Sequence, residues 1–598
     1  MDKVIELGAD MAAAIAASTA SPVPWEDGRA GMPGQTSATW LDVDGRAVLT
    51  RIHHPSDGRA RGAVLVLLPG GMEELVTHRF AMAQAARLVR EGFVVARIAW
   101  SGASASGTPA VDAPPAPTRW RQEILAVLDL LAQVVPGCPP SVVALGVTGA
   151  LAAQAVGEAG RSLSSLVLVA PVGRGRTYLR SRAALLRVSA QSEGVPEVDP
   201  LGAPGSVALP GVTFDAAEVA DWAAVDLARC WSDGLAEDVV VVAGPDAPAD
   251  KPTRTFLEAA GGHTWTADHL TVQLDRPSLF TVARLDVADA VAEHLAGRAG
   301  EPRDVVLPAL RGRAVVMTAD GVEVEDELVT VAGLPAVVTH AVGDPRRVLV
   351  WATSSTEPHS GAGGVWARLA RELALRGVTT VRVDIQGYGE LVLVDEPRDP
   401  APHDMRAVEQ YTAVTRWAAQ EFGLVPDVGG MCSGSWIAMG VASRVPCRSV
   451  VSVSHGSWTD DAGLIAPDTL PGAGPMVNEE ATGADESGRP MVSRVVGSVR
   501  SRAKSSQALR RVLAARGLVQ SVEKSVSQAA VGGAELHYLM GDVDAAIYDE
   551  RGGDAAWRRL QARGVTMSVE RDHLVDHAVL TPYARSRSIA FVVGHLGG

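Results

Sequence analysis

The sequence is poor in aromatic residues and cysteine, and it has no long apolar run. Phe, Trp and Tyr make up 4% of the 598 residues, so aliphatic side chains must form any core. Four cysteines are too few for a disulfide framework or a zinc site built on Cys pairs, and they favour a reducing, cytoplasmic setting. The apolar runs are shorter than the roughly 18 residues of a membrane-spanning helix. We expect no membrane span, no metal and no cofactor.

Positive charge is also scarce. Lys and Arg number 54 against 69 Asp and Glu, which gives a net charge of −15. A surface of this sign repels phosphates, and this argues against nucleic acids and anionic membranes as partners. With 47% hydrophobic and 21% charged residues, the composition is that of a globular chain rather than a disordered one.

The two halves of the chain follow one plan. Each begins with an apolar strand, then a helical stretch closed by a glycine, then a second strand, and these glycines are Gly92 and Gly377. Further landmarks recur in the same order at similar offsets, and a polar Gly/Pro linker lies at 297–302. We therefore predict two domains, 1–300 and 301–598, which arose by duplication and contact each other.

The alternation of strands and helices predicts the fold class. Such a pattern is typical of an α/β protein, in which helices cover both faces of a mostly parallel, doubly wound sheet. Longer insertions at about 173–237 and 457–530 follow corresponding strands of the two halves. Because they would cover the carboxyl edge of each sheet, where ligands bind, we interpret them as caps.

The segment Gly430-Met431-Cys432-Ser433-Gly434 has the pattern of a nucleophile elbow. In such a turn between strand and helix, a strained residue holds its side chain above the sheet, and flanking glycines let backbone pass closely. This frame makes Cys432 the nucleophile. A shifted frame would select Ser433, and a buried structural cysteine is the non-catalytic alternative.

A thiol nucleophile needs a base and an acid that orients it, in the chain order nucleophile, acid, histidine. Asp544 follows a predicted strand and is our choice for the acid, with Asp542 as the alternative. His577 precedes the last helical stretch and is our choice for the base, with His573 as the alternative.

An oxyanion hole would use the backbone N–H after the nucleophile and one from the loop after the first parallel strand. These donors are predicted to be Ser433 and either Ser354 or Ser355.

The first half has a degenerate version of this site. By alignment of the two halves, Thr148 takes the nucleophile position, Asp246 stands near the acid position and Arg276 replaces the histidine. A β-branched residue fits the elbow poorly, and a guanidinium is not a base at neutral pH. We expect this half to be structural or to shape the substrate site.

These residues resemble the α/β-hydrolase superfamily in both halves. The cysteine elbow resembles that of dienelactone-hydrolase-type enzymes, which use a Cys-His-Asp triad. The block 369–389, together with the Gly-Arg-Thr-Tyr-Leu-Arg stretch at 175–180, is similar to exosortase-A-associated hydrolases. The resemblance implies an acyl ester or acyl thioester substrate, carried by CoA or a carrier protein in some cases.

Three functions remain open from the sequence. The first is a Cys-dependent hydrolase or thioesterase, and the second is an acyltransferase that uses the same triad. The third is a non-catalytic pair of domains that acts as a scaffold. The sequence does not specify the acyl group, the acceptor or the oligomeric state.

Overall fold

The computed structural model describes residues 32–270, 281–354, 357–397, 402–459 and 519–598. It contains two large, mostly parallel β-sheets, one in each half of the chain, with helices against both faces. The predicted fold class, an α/β chain with two doubly wound sheets, is confirmed. In the described part of the chain, no helix combines the length and apolar character needed to cross a bilayer.

The first sheet lies within residues 35–266. Its strands in the described residues are β1 (Gln35–Val43), β2 (Arg46–His54), β3 (Gly62–Leu67), β4 (Phe93–Ile98), β5 (Ser141–Leu145), β6 (Leu166–Val169), β7 (Val239–Ala243) and β8 (His263–Thr266). Their order across the sheet is β1-β2-β4-β3-β5-β6-β7-β8, and β2 is antiparallel to both of its neighbours. All other pairs are parallel.

Helices cover both faces of this sheet. They are α1 (Met72–Arg90), α2 (Ala116–Val134), α3 (Thr148–Glu158), α4 (Gly175–Ser192), α5 (Ala216–Ala224), α6 (Lys251–Ala260) and α7 (Leu285–Arg298). Along β3, Leu65 and Leu67 face the core that contains α2 and α3, whereas Val64 and Val66 face the core that contains α1 and α7. Burial on both faces explains why the strand is an unbroken apolar run in the sequence.

The second sheet repeats this arrangement. Its strands in the described residues are β9 (Arg313–Ala319), β10 (Val322–Val331), β11 (Leu334–Thr339), β12 (Arg347–Ala352), β13 (Val378–Val383), β14 (Asp427–Met431), β15 (Ser449–Val453), β16 (Glu535–Met540) and β17 (Met567–Arg571). The order is β9-β10-β11-β13-β12-β14-β15-β16-β17. Without the added edge strand β9, this is the strand order of the first sheet.

The helices of the second half are α8 (Val365–Ala374), α9 (Met405–Phe422), α10 (Ser433–Ala442), α11 (Val522–Ala529), α12 (Asp542–Glu550), α13 (Gly553–Ala562) and α14 (Pro582–Leu596). Val348 and Val350 of β12 face the core with α9 and α10, and Leu349 and Trp351 face the core with α8 and α14. The parallel strands of this half are therefore also buried on both faces.

The insertion at 173–237 follows β6 and carries α4, a hairpin of Val207–Leu209 and Val212–Phe214, and α5. Trp222 of α5 packs with Phe214, Tyr178 and Trp120, which anchors the insertion to α2. The predicted cap at 457–530 lies mostly outside the described residues.

The two halves contact each other through buried charged groups. The Arg371 guanidinium donates to the carbonyl oxygens of Ala105 and Ser106 at 2.8 and 2.9 Å, and it pairs with Asp326 at 3.0 Å. Glu390 is likewise buried between charged partners of the first half. The Arg371 and Glu390 contacts with the first half join side chains of the second half to strands or loops of the first, whereas the pair with Asp326 lies within the second half.

Candidate active site

The turn between β14 and α10 holds Cys432 in a strained backbone conformation. Its φ is +51° and its ψ is −117°, in a region that non-glycine residues rarely occupy. The Cys432 N–H donates to the Val453 carbonyl at 3.0 Å, and its carbonyl accepts from the N–H of Ser435 and Trp436. The strained residue is thus Cys432, whereas Ser433 is the first residue of the helix.

Two glycines make this turn possible. A Cβ on Gly430 would lie 2.4 Å from the carbonyl carbon of Gly434, and a Cβ on Gly434 would lie 2.3 Å from the Ala352 oxygen. Since real Cβ atoms do not approach backbone this closely, both positions require glycine. The spacing that identified the elbow in the sequence therefore has a steric cause.

Gly434→Ala tests this close approach. We expect it to lower the free energy of unfolding by about 1–3 kcal/mol, because the methyl group must displace the end of β12. Gly594→Ala is the matched control, since a Cβ at Gly594 in α14 would meet nothing within 4 Å. Urea denaturation of both variants measures the effect, and equal stabilities would contradict the steric argument.

The structure brings His577 and Asp544 together. Asp544 lies in the first turn of α12, just after β16, and its Oδ1 is 2.8 Å from Nδ1 of His577. Both side chains are buried. The alternatives, Asp542 and His573, are exposed and do not take these places.

The electrostatics of His577 favour its charged form. Burial of the ring would by itself lower the pKa of His577, but the charges of Asp544 and Cys432 and a hydrogen bond to each raise it well above its ordinary value. Because Nδ1 faces Asp544, the other ring nitrogen faces the thiol. The three side chains thus form one hydrogen-bonded chain that can hold a thiolate beside an imidazolium.

The predicted oxyanion donors lie at the start of α10 and in the loop after β12. Ser433 is the first residue of α10, so its N–H lies at the N-terminal end of the helix. After β12, the Thr353 N–H is taken by the Tyr411 hydroxyl at 3.0 Å. The next N–H, that of Ser354, has no hydrogen-bond partner among the described residues. Ser355 lies outside the described residues.

The corresponding turn of the first half carries no side chain at the nucleophile position. Leu145 pairs with the last residue of β6 as Met431 pairs with the last residue of β15. The next residue, Gly146, has φ +60° and donates to the Val169 carbonyl, as Cys432 donates to that of Val453. Gly146 is therefore the structural equivalent of Cys432.

The prediction that Thr148 occupies the nucleophile position is thus wrong. Thr148 is two residues further on, in the first turn of α3, and its buried hydroxyl donates to the Leu145 carbonyl at 2.7 Å. The sequence alignment failed because Gly146 and Val147 both separate strand from helix here, whereas a single residue does so in the second half.

Among the described residues, the others considered for a site in the first half lie at the surface. Asp246 follows β7 and is exposed, and it interacts electrostatically with Arg284. Arg276 lies outside the described residues. His269, which follows β8 in the same half, is exposed and has φ +57°.

Two carboxyl groups near His577 were missed by the sequence analysis. Burial raises the pKa of Glu357, in the loop after β12, to about 7, although Trp366 and His577 oppose the shift. Burial and nearby carboxylates raise the pKa of Glu193 to about 7 against the attraction of His577. Glu357 lies within the predicted oxyanion loop, but nothing in the sequence indicates that Glu193 of α4 reaches this site.

No group of three His, Cys, Asp or Glu side chains within the described ranges could hold a metal ion.

A scan against protein-family models gave no match, and neither did a search of curated proteins.

Solved structures gave matches, and the three described next each cover a little under half of this chain. Est1E from Butyrivibrio proteoclasticus with bound ferulic acid is 17% identical, with a TM-score of 0.32, over 44% of this chain and 99% of its own. A dienelactone hydrolase from Anabaena variabilis is 13% identical, with a TM-score of 0.29, over 47% and 97%. A proline iminopeptidase from Mycobacterium smegmatis is 17% identical, with a TM-score of 0.29, over 44% and 98%.

Proposed function

We propose that the second half is an acyl-ester or acyl-thioester hydrolase that works through an acyl group on Cys432. The main support for this proposal is the hydrogen-bonded chain of Cys432, His577 and Asp544 at a strained turn between strand and helix. A raised histidine pKa beside a thiol is the condition under which the thiolate, the reactive form of cysteine, is populated.

The chemistry follows from these positions. His577 takes the thiol proton, and the thiolate of Cys432 attacks the acyl carbonyl carbon. The N–H groups of Ser433 and Ser354 would stabilise the oxyanion that forms. The tetrahedral intermediate then collapses, and the bond to the leaving group breaks. The leaving group takes the proton from His577. Water, deprotonated by His577, then attacks the thioester, so that the carboxylic acid leaves and the thiol is restored.

Asp544 holds the His577 ring in the orientation and tautomer that this sequence of steps requires. The first half takes no chemical part in this proposal, because glycine stands at the position equivalent to Cys432. The shared strand order of the two sheets supports the view that the halves are copies and that only the second retained a nucleophile.

Intact-mass analysis after incubation with p-nitrophenyl esters and acyl-CoAs of several lengths tests the proposal. We expect the wild type, but not Cys432→Ala, to gain the mass of one acyl group. Cys138→Ala is the control, because Cys138 is partly exposed, whereas burial raises the pKa of Cys230 and Cys447 to about 12.

Two results would overturn the assignment. An adduct that persists in Cys432→Ala would place the nucleophile elsewhere, and the absence of adduct and turnover with every donor would favour a non-catalytic scaffold. Adding primary amines to the reaction separates the two catalytic functions. Free acid as the product supports a hydrolase, whereas amide formed in competition with bulk water supports an acyltransferase.

A further inference from the structure

We propose that Glu193, in the insertion of the first half, is a positioning residue for His577, so that the active site is completed across the two halves. This inference rests on the proposed function. The Glu193 Oε2 accepts a hydrogen bond from the backbone N–H of His577 at 2.5 Å, between residues 384 positions apart in the sequence.

The location of Glu193 is not explained by the stability of its own helix. It is the C-cap residue of α4, and its N–H donates to the Ala190 carbonyl. A carboxylate at this end faces the negative pole of the helix, which disfavours its charged form. The favourable partner of the carboxylate is instead His577, on the other half of the chain.

Neighbouring contacts hold the insertion against the loop at 572–581, which carries His577 and is called the histidine loop. The N–H of Gly211, in the turn of the hairpin, donates to the Leu580 carbonyl at 3.0 Å, three residues after His577. The Arg585 guanidinium donates back to the Gly211 carbonyl and to the Thr213 hydroxyl. Since contacts run in both directions, the hairpin and the histidine loop form one packed unit.

An apolar cluster supports this unit. Leu186 of α4 packs with Leu580 of the histidine loop and with Ala362, which lies in the segment after β12. Met72 and Val76 of α1 belong to the same cluster. The end of α4 is therefore fixed on both the histidine loop and the segment that carries the predicted oxyanion donor.

The charge of Glu193 also acts on the histidine. A carboxylate beside the imidazolium favours the protonated ring, and removal of that charge should let the ring lose its proton at lower pH. Other charges near the pair act in different directions, and a pH profile reports their sum. The titratable groups that face Glu193 or His577 are Asp544, Asp576, Glu357 and Cys432.

The experiment separates orientation from charge with two variants. Glu193→Gln keeps an oxygen acceptor for the His577 N–H but has no charge, whereas Glu193→Ala has neither. We expect Glu193→Ala to lower kcat about 10-fold with little change in KM, and Glu193→Gln to restore most of that loss. Glu197→Gln, four residues on and exposed, is the matched control.

The second measurement needs no substrate. The rate of Cys432 alkylation by iodoacetamide, followed by peptide mass, is measured against pH. The step in which the imidazolium loses its proton should move down by about one pH unit in Glu193→Gln, since one unit corresponds to a modest interaction between neighbouring charges. Circular dichroism melting checks that each variant is folded.

The outcomes are distinguishable from failure of the proposed function. Absence of turnover with every acyl donor would defeat the function but would leave the alkylation profile as a test of the contact. Profiles of Glu193→Gln and Glu193→Ala that coincide with wild type, or a shift of the same size in Glu197→Gln, would overturn the role of Glu193.

Discussion

Cys432→Ala and His577→Ala are each expected to reduce kcat on an acyl donor by about 10⁴-fold or more, and the double variant to be no slower than either. Residues of a triad act as a unit, because a base without its nucleophile, or a nucleophile without its base, contributes little. Effects that coincide in this way would show that both side chains serve the same step. Steady-state kinetics of the two single variants and the double variant measure the three values of kcat.

The histidine that the sequence left as an alternative supplies the control. His573 is exposed and lies four residues before His577, so His573→Ala should leave kcat within about twofold of wild type. If His573→Ala instead removes activity, the base is misassigned. If the double variant is slower than either single variant by the product of their effects, the two residues act independently, and the proposed triad fails.

The signals that led to the predicted site of the second half are each local in the sequence. Strands buried on both faces are unbroken apolar runs, and the elbow requires glycine at two fixed positions around Cys432. Asp544 and His577 could be chosen because each lies next to an element boundary, after β16 and before α14. The structure then placed these two side chains in contact, which no spacing rule could do.

What the sequence could not predict depends on contacts between distant parts of the chain. Gly146 is equivalent to Cys432 by strand pairing, but glycine spacing alone selected Thr148. Glu193 reaches His577 from the opposite half, and the only sign of it in the sequence is a glutamate at the end of a helix. Such residues carry no periodicity and no motif, because their partners are fixed by packing of the two halves.

The interface between the halves has a second long-range feature, centred on Glu390. Arg51 and Arg97 stand directly opposite each other on β2 and β4, so two buried guanidinium groups face the same space. The Glu390 carboxylate lies between them, 3.0 Å from Nε of Arg51 and in contact with Arg97. His53 accepts a hydrogen bond from Arg97, which a neutral ring can do, and burial together with Arg97 holds its pKa well below the ordinary value.

Glu390→Ala is therefore expected to lower the free energy of unfolding by about 3–5 kcal/mol. The variant leaves two buried cations without their counter-ion, and this loss exceeds the energy of an exposed ion pair several-fold. Urea denaturation followed by circular dichroism measures the change. Glu396→Ala, six residues on and exposed, should change the stability by less than about 0.5 kcal/mol.

The pH dependence of the stability of Glu390→Gln, relative to wild type, tests the same ion pair. Burial would raise the pKa of Glu390, but Arg51 and Arg97 hold it well below the ordinary value of 4.5. A carboxylate with a depressed pKa stabilises the folded state fully above its unfolded pKa, and this stabilisation is lost as the pH falls below it. The part of the stability advantage over Glu390→Gln that comes from the carboxylate itself should thus be constant above about pH 5.5 and shrink below about 4.5.

His78 adds an earlier loss, and this loss is larger in Glu390→Gln because the variant lacks the charge that attracts the protonated ring. Burial lowers the pKa of His78 from 6.5 to about 4, against the attraction of Glu390, so protonation of this ring opposes folding increasingly between these two values. Wild type should therefore lose stability in two stages as the pH falls, first through the buried histidine and then through the carboxylate. An advantage over Glu390→Gln that does not fall at all below about pH 4.5 would show that Glu390 is not held ionised by the two arginines.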